Sequence, residues 1–242
     1  MIRLIPSLRF PPCLRRSLPL ALGVLLLALT ACGANTDTFP TGAAHPPPVT
    51  TTYKNCPPQG AGGDPSLSTR ENRVDDVSAS AYNPVSLDTL IGLPYPGQVS
   101  NRLRSAWPSS SAKQVAQDEG VAIQTAGYVV AIRYVGPEPV NCNSTSNANY
   151  YLWISDNASD PPELGMVVVL TPRILAQRPG WTEKTIRSLA GQYIRVSGWL
   201  LFDNQPSSQL GLSRATYWEL HPVLHLDIDE QSQWHNFDKK PL

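Results

Sequence analysis

Apolar residues recur with a period of two through much of the second half of the chain. Val121, Ile123 and Thr125 alternate with Ala122, Gln124 and Ala126, and a β-rich run continues through Tyr128, Val129, Val130 and Ile132 to Val135. Such alternation marks a strand with one buried face, and Gly127 in its middle predicts a bulge or a sharp coil. A polar loop over 141–149 leads to a second strand over 150–155. A third over 166–171 is continuously apolar and β-branched, which predicts burial on both faces. Pro172 ends it. Residues 182–189 read as a short helix with Thr182 as N-cap and Gly191 placed to end it. In a fourth strand, 192–203, Ile194, Val196, Leu200 and Phe202 share the inward parity, while Tyr193, Arg195 and Ser197 share the outward one. A fifth, 214–228, puts Trp218, Leu220, Leu224, Leu226 and Ile228 on one side, with Pro222 confined to a bulge, an edge or a break.

Three strands, a helix and two more strands is the order of the OB-fold, a small Greek-key barrel. The expected fold is therefore all-β with one short helix, a five-stranded OB-like barrel (β-β-β-α-β-β) over 119–228. Before it, 54–118 reads as an irregular leader packing on the barrel. It carries Gly- and Pro-rich turns over 56–64 and room for one short helix within 83–92. Pro94, Pro96 and Pro108 prevent a longer one. Residues 32–53, rich in Pro, Thr, Gly and Ala, cannot bury enough apolar surface to offset their ordering entropy and read as a flexible tether. Residues 229–242 read as a frayed polar tail.

The first 31 residues change the picture. Arg3, Arg9, Arg15 and Arg16 precede an apolar run over 18–29, with no acidic residue. The run suits a signal-peptide core and falls short of the roughly 20 residues a spanning helix needs. Leu29-Thr30-Ala31-Cys32 resembles the lipobox of bacterial lipoproteins, which implies cleavage before Cys32 and lipidation of its sulfur. The expectation is export to the cell envelope, with a membrane as partner through the lipid anchor at the periplasmic face or outer membrane. Losing four arginines from 19 basic residues leaves 15 against 19 acidic ones, a formal charge of −4. That balance argues against nucleic acid as a partner. Cys13 leaves with the signal and Cys32 is acylated, so Cys56 and Cys142 are left in an oxidising compartment and are expected to pair.

Two further blocks carry a resemblance. Cys56-Pro57-Pro58-Gln59-Gly60, Gly62-Gly63-Asp64, Leu67 and Asn72-Arg73 form one. Gly198-Trp199-Leu200-Leu201-Phe202-Asp203, followed by the stretch Arg214 to Val223, forms the other. Together they resemble a family of uncharacterised secreted bacterial proteins with an OB-like barrel. The resemblance implies a fold over roughly 54–228 and no activity. Members carry a His after the Asn-Cys pair and another near the start of strand two. Asn143 and Tyr151 stand there in this chain, so no site built on those histidines is expected.

Candidate chemistry gathers near strand five. Glu219, His221 and His225 share a parity and could share a proton or a metal, although no third ligand lies at suitable spacing. The structural alternative is a solvated sheet face. Asp203, Arg214 and Glu219 flank the loop between strands four and five, which borders the ligand face of OB barrels. There Arg214 and Asp203 could orient a ligand or clamp the loop. Asp203, Arg214, Tyr217, Glu219 and His221 form the candidate ligand surface, and Tyr128, Tyr150, Tyr151, Trp153, Tyr193, Trp199 and Tyr217 offer rings for stacking. No nucleophile elbow, Walker A or H-E-x-x-H motif is present. No catalytic residue, cofactor or metal site is assigned. The leading expectation is a non-enzymatic binding or interaction module for an envelope protein, peptide or glycan. The alternatives are an envelope hydrolase or metal-dependent enzyme using Glu219 and His221, and a structural subunit of an envelope complex.

Overall fold

The computed structural model describes residues 55–99, 103–206 and 209–239. Cys32, the signal segment and the whole of the tether lie outside them. Seven strands form one sheet: β1 (Asn83–Pro84), β2 (Ala122–Val135), β3 (Asn149–Ser155), β4 (Met166–Leu170), β5 (Tyr193–Phe202), β6 (Trp218–Glu230) and β7 (Gln233–Asn236). Five of them close a barrel in the order β2-β3-β4-β6-β5, with β5 returning to β2. All contacts around it are antiparallel except β4 with β6, which is parallel. This is the OB-like barrel that the order of elements predicts.

β2 closes the barrel because it is long enough to pair twice. Its first half, Ala122 to Tyr128, pairs with β5, and its second half, Tyr128 to Val135, pairs with β3. Gly127 sits at the handover, where an added Cβ would press on the Ser155 carbonyl and on Leu87. The bulge itself falls two residues later, between Val129 and Ala131. β4 is buried at all five positions, as its composition predicts. Between β4 and β5 lie α4 (Pro172–Leu175) and α5 (Glu183–Arg187), the latter capped by the Thr182 side chain accepting from the Thr185 amide. Inward residues of every barrel strand join one core, among them Ile123, Leu152, Val168, Val196, Phe202, Trp218, Leu220 and Leu226.

Three expectations need correction. The fifth strand begins at Trp218 rather than 214, because 214–217 belongs to the preceding loop. Residues 229–239 do not fray: β6 runs to Glu230, turns through Gln231 and Ser232 at positive φ, and pairs with β7, after which Phe237 is buried against Trp181. The leader is also more regular than its turn-rich sequence suggests. It forms α1 (Pro65–Glu71), α2 (Leu87–Ile91) and α3 (Ser109–Val115), and it sends Leu67 inward and Leu87, Leu90, Leu93, Val99 and Val115 into the barrel's core.

Two structures pin the leader. A disulfide joins Cys56 to Cys142 with Cα atoms 5.7 Å apart, inside the range the bond requires. Asn72, fully buried at the end of α1, donates to the Pro58 and Val140 carbonyls at 2.9 Å and accepts from Arg173 Nε at 2.6 Å. The two blocks of the resemblance meet nearby. The Arg73 guanidinium lies 3.0 Å over the Trp199 ring, and the Trp199 indole N–H donates to the Asp75 carbonyl.

Gly198 sits where β6 accommodates Pro222. The register with β5 shifts on either side of it, and an added Cβ would overlap the Pro222 carbonyl and Val223 Cα. Those are backbone atoms and cannot rotate away. Gly198→Ala is expected to cost about 1–3 kcal/mol by overpacking, read as a lower urea midpoint at unchanged slope. An unaltered midpoint would mean that this bulge moves freely.

Candidate functional site

The barrel's outward residues on β3, β4 and β6 are buried, apart from the half-buried Tyr151. Tyr151, Trp153, Val167, Val169, Glu219 and His221 alternate with the core positions and point to the other face of the sheet. The β2–β3 loop (136–148) covers one side of that face, the β5–β6 loop (203–217) the other, and the disulfide-pinned leader adds a third wall. Between them lies a cavity of about 410 Å³. Its floor is Val135, Tyr151, Trp153 and Val167. Its walls include Glu71 from the end of α1, Glu138 from the β2–β3 loop, and Asp203 and Arg214 from the β5–β6 loop.

The β5–β6 loop is held by Arg214, which is 1% exposed. Its Nη2 lies 2.7 Å from Glu219 Oε2 and its Nε donates to the Thr216 carbonyl at 2.8 Å, while Asp203 stands farther off at 3.7 Å. The Trp153 indole N–H donates to the Ser213 carbonyl, and the Ala215 amide to the Gly165 carbonyl, so the loop is also tied to the cavity floor and to the β3–β4 turn. Arg214 thus clamps the loop to β6, and its main partner is Glu219 rather than Asp203.

Glu219 and His221 are both buried, which removes the solvated-face reading. They sit on the expected parity, but the leader and the β5–β6 loop cover it. Glu219 Oε1 lies 2.9 Å from His221 Nδ1. Burial alone would raise the Glu219 carboxyl, yet Arg214 and the His221 hydrogen bond hold it below the ordinary carboxylate range. Burial opposes a charge on His221, but Glu219 and then Glu71 outweigh it and raise the imidazole. His221 Nε2 is buried without a hydrogen-bond partner among the described residues. With one Glu219 oxygen committed to Arg214 and the other to His221, the pair is a structural relay between β6 and the loop. Among the described residues no three His, Cys, Asp or Glu side chains are grouped to hold a metal ion.

His225 does not join them. Beyond the bulge it faces Ser197, and its Nε2 lies 2.7 Å from Asp76 beside Tyr82. Tyr217 leaves the candidate surface altogether: it is buried, with its ring 4.8 Å from Tyr95 and 5.7 Å from Phe202. Of the other aromatics, Tyr151 and Trp153 form the cavity floor. Trp199 lies under Arg73, Tyr150 is buried beside Tyr134, and Tyr128 and Tyr193 stack on each other elsewhere on the barrel.

Three lining residues escape a reading by strand parity. Glu138 accepts from the Tyr151 hydroxyl at 2.9 Å and from Asn149 Nδ2 at 2.8 Å, and burial raises its carboxyl. Arg133, exposed at the rim, sets its guanidinium 5.3 Å from the Trp153 ring. Glu71 is 9% exposed and makes no hydrogen bond or ion pair among the described residues. Burial pushes its carboxyl up to about 8, against the pull of His221 and with added repulsion from Asp203, Glu219 and Glu138. Asp203 is pushed up to about 6 by burial and Glu219, with Arg214 opposing. The one hint in the sequence was that Glu71 directly precedes the Asn72-Arg73 pair. No protein-family model matches this chain, and no curated protein is significantly similar to it.

Proposed function

We propose that this protein is a binding module of the cell envelope, lipid-tethered through Cys32, which takes a compact polar ligand in the cavity above β3 and β4. The cavity's position carries the reading. OB barrels bind on the outer face of their second and third strands, between the first and the fourth connecting loops. Here those strands are β3 and β4, and those loops are 136–148 and 203–217. The volume lies near the lower end of the roughly 300–1,000 Å³ of small-molecule sites. Aromatic floor and polar walls suit a sugar or a short peptide end, and the leader blocks an extended strand of nucleic acid. The Cys56–Cys142 disulfide supports an oxidising compartment, as export would require.

The test uses the full-length protein in detergent. Glucosamine, glucose, the dipeptide Ala-Ala and its N-acetylated form are titrated, and the Trp153 indole and Tyr151 ring resonances are followed. At least one probe is expected to shift both, and Gln205→Trp at the cavity wall is expected to weaken that probe about tenfold or more. Shifts that ignore the substitution, or no shift from any probe, would overturn the assignment.

A further inference from the structure

We infer that the cavity recognises a ligand through a positively charged amino group, with Glu71 as the residue that receives it; this rests on the cavity being a binding site. Glu71 is the end of α1, and α1 cannot withdraw it. Asp64 caps the helix at its start by accepting from the Ser66 and Leu67 amides, and Asn72 locks its end to the β2–β3 loop and to Arg173. The carboxyl group is therefore fixed at the cavity wall with no protein donor, and its oxygens open onto the cavity, where a ligand can supply one.

None of the surrounding cations makes a hydrogen bond or ion pair with Glu71, although His221 Nε2 has no other partner among the described residues. Arg214 is consumed by Glu219, the Thr216 carbonyl and Asp203. His221 is bound through Nδ1 to Glu219. Arg133 lies over Trp153 at the rim. Against them, four carboxylates cluster here: Glu71, Glu138, Asp203 and Glu219. Glu138 has both oxygens occupied by Tyr151 and Asn149. Asp203 also lines the cavity but accepts from the Gln205 amide at 3.0 Å and has Arg214 at 3.7 Å, so Glu71 is the lining acid without a donor, and an ammonium would supply its missing charge-assisted hydrogen bond. The half-buried Tyr151 ring beneath adds a face on which a cation is held favourably. An amino sugar and a peptide N-terminus share this chemistry.

Burial pushes the Glu71 carboxyl up to about 8, which favours a proton on it at neutral pH in the free protein. An arriving ammonium displaces it, so affinity should rise by up to about tenfold per pH unit between 6 and 7 and level off toward 8, where a free α-amine itself loses its proton at about 7.7–8.0. The groups facing Glu71 are His221 and Glu219 from β6, Glu138 from the β2–β3 loop, Asp203 and Arg214 from the β5–β6 loop, Tyr151 from β3 and Arg133 from β2. Deprotonation of His221 or Asp203 in the same window would add in the same direction. Glu71→Gln isolates the part that belongs to Glu71.

The four probes named above form two matched pairs, each with and without a free amine. Glucosamine is expected to bind at least tenfold tighter than glucose, or Ala-Ala at least tenfold tighter than its N-acetylated form; whichever pair responds identifies the sugar or the peptide source. In Glu71→Gln the preference should vanish while the neutral member still binds. Calorimetry of the unmodified protein in two buffers of different ionisation enthalpy should report proton release at pH 7, which keeps the test independent of how the variant folds. Equal binding of amine and neutral members would overturn the inference and leave the binding site standing. An amine preference that survives Glu71→Gln would overturn it too. No binding by any of the four would overturn both.

Discussion

Replacing Arg214 by methionine is expected to cost about 3–5 kcal/mol of unfolding free energy, the range found when one partner of a buried ion pair is removed. Arg214 fills a fully enclosed position, so methionine keeps much of its volume and removes only its charge and donors. Glu219 then remains buried with His221 alone, and the Thr216 carbonyl loses its donor. The sign with pH separates this from lost packing. In the intact protein Glu219 titrates below its ordinary range. It contributes stability that is present above the unfolded value and is lost as pH falls through the folded one. Without Arg214, burial dominates and raises that carboxyl, so the folded state binds the proton more tightly and stability is lost as pH rises. The deficit of Arg214→Met measured by urea at pH 7.5 should therefore shrink at pH 5. Glu219→Gln in the same background should recover at least half of it at pH 7.5. A deficit below about 1 kcal/mol, or one equal at both pH values, would show that the pair does not hold the β5–β6 loop.

The barrel was legible in the sequence because period-two burial is strict where a strand has one face on the core. Ile194, Val196, Leu200 and Phe202 announce β5 in this way, and Trp218, Leu220, Leu226 and Ile228 announce β6. The outward face was not legible for the same reason. Parity places Glu219 and His221 outside the core, but it cannot say that a distant segment covers them. The covering depends on contacts more than sixty residues apart, such as Asn72 with Val140 and with Arg173. Glu71 was invisible because it belongs to a short helix in a stretch read as irregular, and its importance comes from the wall it ends up in. Tyr217 falls on the ligand surface only if the fifth strand starts at 214, whereas it starts at Trp218. Once 214–217 is loop, the ring is free to turn into the Tyr95 and Phe202 cluster. Strand β7 leaves no trace in the sequence because Gln233, Trp234 and His235 are exposed and give no inward face to detect. What holds β7 is backbone pairing with β6 and the single apolar anchor Phe237.

Removing the disulfide with Cys56→Ser and Cys142→Ser together is expected to lower stability by about 2–5 kcal/mol. The upper end is favoured by the span of the bridge, because 86 positions separate the two cysteines and a long closed loop restricts the unfolded chain most. The loss should carry into binding, since the bridge joins two walls of the cavity. On one side is the leader that carries Glu71, and on the other is the β2–β3 loop that carries Glu138. Asn72 competes for this role through its hydrogen bonds to Pro58, Val140 and Arg173, and the Ala61 amide adds one to the Pro139 carbonyl. Those contacts are non-covalent and each contributes about 1 kcal/mol net. They can keep the leader docked in the serine variant but cannot restrict the unfolded chain. The double variant should thus remain folded, with a lower denaturant midpoint and weaker binding of the probes that shift Trp153. Reduction of the intact protein should reproduce both changes. If the midpoint falls while binding holds, the hydrogen bonds around Asn72 suffice to set the wall, and the bridge acts through the unfolded state alone. If neither changes, the leader is docked by its apolar residues, Leu67, Leu87 and Leu90 foremost, and the disulfide adds nothing to the site.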